Sequence, residues 1–186
     1  MVRGLQLVTP IPSVRKALVK GFTLIEVLVT ILIVAIGLLG LASLQVTTLN
    51  QQFEALQRAQ VTAMIEDMAA RIRMNPSEAI SGAYYGSASS ASCSSLTGAD
   101  RDLCEWNQMM LGSAAVEGEI KLAAPMGVQG CIQAGTPKSG EAVLRVSMAW
   151  QGITKSAAPE EVLTCGADSY GDETYRRVLF RDVVVR

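Results

Sequence analysis

The sequence predicts an α+β protein: one long N-terminal helix, apolar in its first half, packed on a head that contains an antiparallel β-sheet. Three observations carry that expectation. From Phe22 to Leu44 the chain is apolar on every side, with Glu26 its one charge. From Val46 to Ile72 apolar residues recur at helical spacing on a polar background,. In Ala142–Gln151 the period changes to two, which is the period of a strand.

The apolar block explains the composition. Hydrophobic residues make up 49% of 186, and mean hydropathy is +0.30. As a helix rising about 1.5 Å per residue, residues 22–44 are long enough to cross a bilayer core of about 30 Å. Residues 1–21 carry Arg3, Arg15, Lys16 and Lys20 and no acid. A basic flank of this kind keeps the N-terminus cytoplasmic and sends the remainder outward. The remainder holds 12 basic and 17 acidic residues, a net −5. That balance argues against nucleic-acid binding, which relies on Lys and Arg against phosphate.

Four regions follow. Residues 1–21 form a short basic leader containing Pro10 and Pro12, with no apolar core of its own. Residues 22–44 are the membrane-crossing half of the helix. Residues 45–76 are its amphipathic half. There Val46, Leu49, Phe53, Leu56, Val61, Ile65, Met68 and Ile72, with Met64 alongside, form one stripe among Gln, Glu and Arg,. Asn75-Pro76 ends the helix, because a residue before proline disfavours helical torsions,. Residues 77–186 form the head. The strand region 114–186 is the expected cover for the whole stripe, so a fragment beginning near Gln45 or Asn50 is expected to be soluble and monomeric.

Within the head, Gly86–Ser95 reads as a low-complexity loop held by Cys93, and 100–111 as a short helix with Asp100 as its N-cap,. Ala142–Gln151 is the clearest strand, with Ala142, Leu144, Val146, Met148 and Trp150 on one face,. Weaker strands are expected at Val116–Leu122, Val128–Gln133 and Thr174–Val185.

All four cysteines, Cys93, Cys104, Cys131 and Cys165, follow the apolar helix. An even number on the exported side favours two disulfides. No C-x-x-C pair and no histidine occurs, which counts against zinc. Of the three pairings that four cysteines allow, Cys93–Cys104 brackets a short segment. Cys131–Cys165 then ties a middle strand to the turn before the last one.

Few catalytic devices are available. Without histidine there is no Ser-His-Asp or Cys-His site,. Gly135-Thr-Pro-Lys-Ser-Gly140 lacks the spacing of a P-loop,. Asp168, Asp172 and Glu173 lack the alternating ligand order of a calcium loop and read as a solvated turn,. Trp106 and Trp150 read as core anchors. The expectation is no enzyme activity, no cofactor and no metal.

The most informative string is Lys20-Gly-Phe-Thr-Leu-Ile-Glu-Val-Leu-Val29. An acid inside a membrane helix costs about 2.5–3.5 kcal/mol on insertion scales and points to a partner. Basic leader, glycine, Phe-Thr-Leu-Ile-Glu and apolar helix together resemble the class III signal of type IV prepilins. The resemblance implies a type IV pilin fold. It also implies that a prepilin peptidase cuts between Gly21 and Phe22 and methylates the new amine of Phe22. Glu26 would then pair with the terminal amine of a neighbouring subunit during fibre assembly. The 21-residue leader is longer than many in that family. No proline interrupts the apolar helix; Gly37 and Gly40 stand there instead, serving either local melting or close helix packing.

Further along, Arg71-Ile-Arg-Met-Asn-Pro76, the Tyr84-Tyr85 pair, the Cys/Trp helix around Trp106, the Val146–Trp150 strand and Arg177-Val-Leu-Phe-Arg resemble the PilV class of minor pilins. That resemblance implies a low-abundance subunit that helps initiate pili. Its partners would be other minor pilins, the major pilin and a large tip adhesin. It would sit in the bacterial inner membrane, head in the periplasm, before joining an extracellular fibre. A minor pseudopilin of a type II secretion system is the alternative, since it shares the N-terminal motif. A binding module is a third reading, in which the Ser-rich loop or the acidic turn contacts DNA or a host surface. The net −5 and the few aromatics count against DNA.

Overall fold

A computed structural model describes residues 21–86, 92–112, 116–117, 120–121, 124–137 and 141–186. Nearly all of the expected leader and the centre of the Ser-rich loop lie outside them.

Helix α1 runs from Leu24 to Met74, 51 residues without a break. It begins two residues after Phe22. There the Glu26 N–H donates to Thr23 Oγ1 at 3.3 Å, so a threonine hydroxyl satisfies one of the orphan donors of the first turn. The helix ends where Asn75 precedes Pro76. A five-residue helix α2, Pro76–Ile80, starts immediately, with the proline at its first position, where its missing N–H costs nothing. Helix α3 spans Gly98–Met110.

Strands β1 (Val116–Glu117) and β2 (Ile120–Lys121) form a small antiparallel pair. They replace the single strand expected over Val116–Leu122. Strands β3 (Gln129–Ala134), β4 (Ala142–Gln151) and β5 (Arg176–Val185) form an antiparallel sheet in the order β3-β4-β5. A 3₁₀ turn, Glu173–Tyr175, leads into β5. The register places Leu144 opposite Val183, Met148 opposite Leu179 and Val146 opposite Ile132. The α+β class, with a long apolar-headed helix and an antiparallel sheet, is therefore what the chain adopts.

The chain divides into two compact units between Leu44 and Gln45. In the first, every described residue from Gly21 to Leu44 is exposed. Among the described residues, the second has one core. Val61, Ile65, Met68, Ala69 and Ile72 of α1 join Leu103, Trp106 and Met110 of α3 and the β4 row Leu144, Val146, Met148 and Trp150. Gly130 on β3 permits this packing, because a Cβ there would sit 2.4 Å from the Trp106 ring.

Two expectations need correcting. First, the stripe on residues 45–74 is not one face. Val46, Leu49 and Leu56 are 59%, 63% and 56% exposed, while Val61 and Met68 are fully buried. Steps of three and four keep residues on one helix face, but Leu56 to Val61 is a step of five. At about 100° per residue it turns the apolar row away from its earlier direction. Asn50, Glu54 and Gln57 occupy the head-facing row instead, and all three are at least partly buried. The sheet covers only the lower half of the stripe.

Second, Asp100 is not the cap of α3. Thr97 holds that position without a side-chain bond, and the Glu78 carboxylate of α2 accepts from the Ala99 N–H. An acid from a neighbouring helix does the capping and also suits the positive end of the dipole. Both faces of β4 are buried, including Val143, Ser147 and Ala149. The Cys165-Gly166 turn lies on the second face. Gly166 has φ +65°, and a Cβ there would meet the Ala149 side chain at 2.6 Å.

Candidate functional site

The residues singled out in the N-terminal string fall together at the start of α1. Gly21 and Phe22 precede the helix, Thr23 caps it, and Glu26 is in its first turn. Phe22 is 83% exposed, and Leu24, Ile25 and Leu28 are exposed with it. A Cβ at Gly21 would meet nothing within 4 Å. Nothing among the described residues requires glycine at position 21. The same holds at Gly37 and Gly40, where an added Cβ meets nothing and the helix continues unbroken.

Thr23 was not among the residues singled out, although the signal was present. Thr23-Leu-Ile-Glu26 has the spacing of a capping box,. The helix α1 is long and apolar enough to cross a membrane by length and composition,.

Residues 17–42 match the family described as the prokaryotic N-terminal methylation motif. The chain carries a prepilin-type N-terminus. That match supports a type IV pilin-like protein, of the pilin or pseudopilin kind. A motif of this kind implies processing by a prepilin peptidase, membrane anchoring through the apolar helix, and assembly into a pilus or pseudopilus. The head lies outside the matched residues. No curated protein and no solved structure matches the chain.

The head of this pilin-like chain is fastened by two disulfides. Cys93 is bonded to Cys104, with Cα atoms 5.7 Å apart, and Cys131 to Cys165, at 5.8 Å. The first anchors the segment before α3 to that helix. The second holds the 152–175 connection to β3, where Cys131 stands opposite Ser147. In the chain-entropy picture, loops of 11 and 34 residues are worth about 3–4 kcal/mol each,.

A polar cluster ties α1 to α3. Arg71 reaches Asp67 at 2.7 Å, Asp102 at 3.2 Å and Glu105 at 2.6 Å. Buried Tyr84 donates to Asp102 at 2.6 Å and accepts from Asn75 at 3.1 Å. Burial and the bond to Asp102 push the Tyr84 phenol well above its ordinary pKa. The bonds from Arg71 and Arg101 hold the Glu105 carboxyl below the usual range. Every strong partner in this cluster is internal, so its chemistry is that of a fastener.

The acidic turn is built the same way. Asp172 accepts from Lys155 at 2.8 Å and from the Thr174 N–H at 2.9 Å, and its carboxyl is held down to about 2. Glu173 accepts from the Asp168 N–H at 2.9 Å and from Arg176. Arg176, only 4% exposed, also donates to the carbonyls of Leu163 and Cys165. These carboxylates organise the connection before β5. Trp106 and Trp150 are both in the core, at 2% and 4% exposed.

Proposed function

We propose that this chain is a minor pilin of the PilV class, a low-abundance subunit that helps initiate and assemble type IV pili. The observation that carries the reading is the methylation motif leading into a helix whose apolar side chains up to Leu44 are exposed on all sides. Such a surface suits lipid first and a bundle of like helices afterwards. The downstream resemblance, from Arg71–Pro76 through Trp106 to the Arg177–Arg181 strand, supports the minor-pilin class.

In this reading a prepilin peptidase cuts after Gly21 and methylates the Phe22 amine. The basic residues 1–20 keep that end cytoplasmic, so the head stands in the periplasm. Glu26 is costly in lipid until a neighbour's terminal amine arrives, and the pairing sets the docking register. The protein acts as a structural subunit, without catalysis, cofactor or nucleic acid. Its partners are other minor pilins, the major pilin and a tip adhesin.

A pseudopilin of a type II secretion system would share the same motif. Purification of sheared fibres, followed by identification of what co-purifies, separates the two. Recovery with a major pilin and other minor pilins supports the proposal. Recovery only with secretion-system components replaces it with the pseudopilin.

A further inference from the structure

The head-facing row of α1 changes chemistry at Gln57. From Val61 through Ile65 and Met68 to Ile72 it is apolar and at most 2% exposed. One to three turns earlier the same row holds Asn50, Glu54 and Gln57,. Between Leu49 and Gln57, among the described residues, side-chain hydrogen bonds to the rest of the head all end on Glu54. Its Oε1 accepts from the N–H groups of Ile153 at 3.0 Å and Thr154 at 3.2 Å. It also accepts from Thr154 Oγ1 at 3.1 Å, and Arg177 spans both carboxylate oxygens at 3.3 Å.

The packing around this carboxylate is open. A groove of about 420 Å³ on one side is lined by Asn50, Gln51 and Thr154, and one of about 360 Å³ on the other by Ala55, Arg58 and Trp150. Gln57 is 2% exposed, yet neither of its amide atoms has a partner among the described residues, and neither has Trp150 Nε1. Buried polar groups without partners favour any state in which water reaches them. The Glu54 bonds, in contrast, run to the exposed Ile153 and Thr154, which water can serve, and to Arg177, whose side chain is 15% exposed,.

We propose that Glu54 is a releasable latch: residues 45–57 of α1 fasten to and leave the head as a unit, pivoting where the apolar core begins at Val61. Opening exchanges the Glu54 bonds for water and hydrates Gln57 and Trp150. It leaves the Val61–Ile72 packing intact. The Val46, Leu49, Phe53 and Leu56 face points away from the head row in the latched state, so the latch sets the direction of that face.

Native-state hydrogen exchange on the full chain in detergent micelles reads this directly, because two of the Glu54 bonds are made by amides. Ile153 and Thr154 should exchange at least about tenfold faster than Val146 and Met148 of β4, with almost no dependence on low denaturant, the signature of local opening. Glu54→Ala should raise exchange at Ile153 and Thr154 by about another tenfold while Val61–Ile72 and β4 hold. Should that variant fail to fold, Gln57→Leu supplies the opposite arm: removing the unmet amide should slow exchange at the same two amides. The latch is overturned if Ile153 and Thr154 share the rate and denaturant slope of β4. It is equally overturned if Glu54→Ala leaves them unchanged, if it loosens Val61–Ile72 to the same degree, or if Gln57→Leu leaves their exchange unchanged or faster.

Discussion

The Trp106 indole N–H donates to the backbone carbonyl of Met64 at 3.0 Å. One side chain of α3 thus bonds the main chain of α1 while its ring fills the space left by Gly130. Trp106→Phe keeps most of the ring and loses the bond, and should cost about 1 kcal/mol. Trp106→Ala should cost about 3–5 kcal/mol, because it also opens a cavity. Chemical denaturation of the head measures both, and equal losses would show that the hydrogen bond dominates the packing.

The turned stripe gives a second prediction. Phe53→Ser with Leu56→Ser should change head stability by less than about 0.5 kcal/mol, since both side chains are exposed,. Ile65→Ser, only four turns further at most, removes a side chain that is 2% exposed and should cost about 2–5 kcal/mol. A fragment beginning at Gln45 should therefore fold but self-associate through its uncovered face, and the Phe53/Leu56 double variant should make it monomeric. Sedentation behaviour in the analytical ultracentrifuge decides between these outcomes and a monomer with no need of the substitutions.

Acid should loosen the head in a defined window. Burial would raise the Glu54 carboxyl, but the bonds from Thr154 and Arg177 outweigh it and hold the group below its ordinary range. Glu105 is lowered by Arg71, and Asp182 by Arg145. Carboxyls with depressed folded pKa values stabilise fully above their unfolded values of about 4. That stabilisation fades as pH falls through the folded values. The Tm of the head should be flat near neutrality and drop below about pH 4, and Glu54→Gln with Glu105→Gln should flatten that drop. A Tm independent of pH down to 2 would contradict the ion-pair account.

Glu26→Ala should leave membrane insertion intact or improved, because it removes an insertion cost of about 2.5–3.5 kcal/mol. Its recovery in sheared fibres should fall by more than about tenfold, since breaking a buried pair costs about 3–5 kcal/mol. Equal recovery of variant and parent would remove Glu26 from assembly.

Much of this was legible in residues 20–29 and in the alternation of Ala142–Gln151, where local pattern and global role coincide. The five-residue step from Leu56 to Val61 was equally visible, and counting it would have turned the stripe. Other features depend on residues distant in the chain. Glu78 caps α3 because α2 lies beside it, so no local reading of Asp100 finds the cap. Arg176 is buried among the carbonyls of a connection pinned by Cys131–Cys165, which no local pattern around it indicates. The second face of β4 is buried for the same reason: a turn far along the chain, with glycine at Gly166, lies across Ala149.

The N-terminal peptide of the protein recovered from sheared fibres tests the central claim most directly. Mass spectrometry should find a peptide that begins at Phe22, carries a single N-methyl group, and is far less abundant than the major subunit of the same fibres. A fibre-associated chain that retains residues 1–21 or begins elsewhere would contradict the account, as would a processed chain absent from fibres altogether.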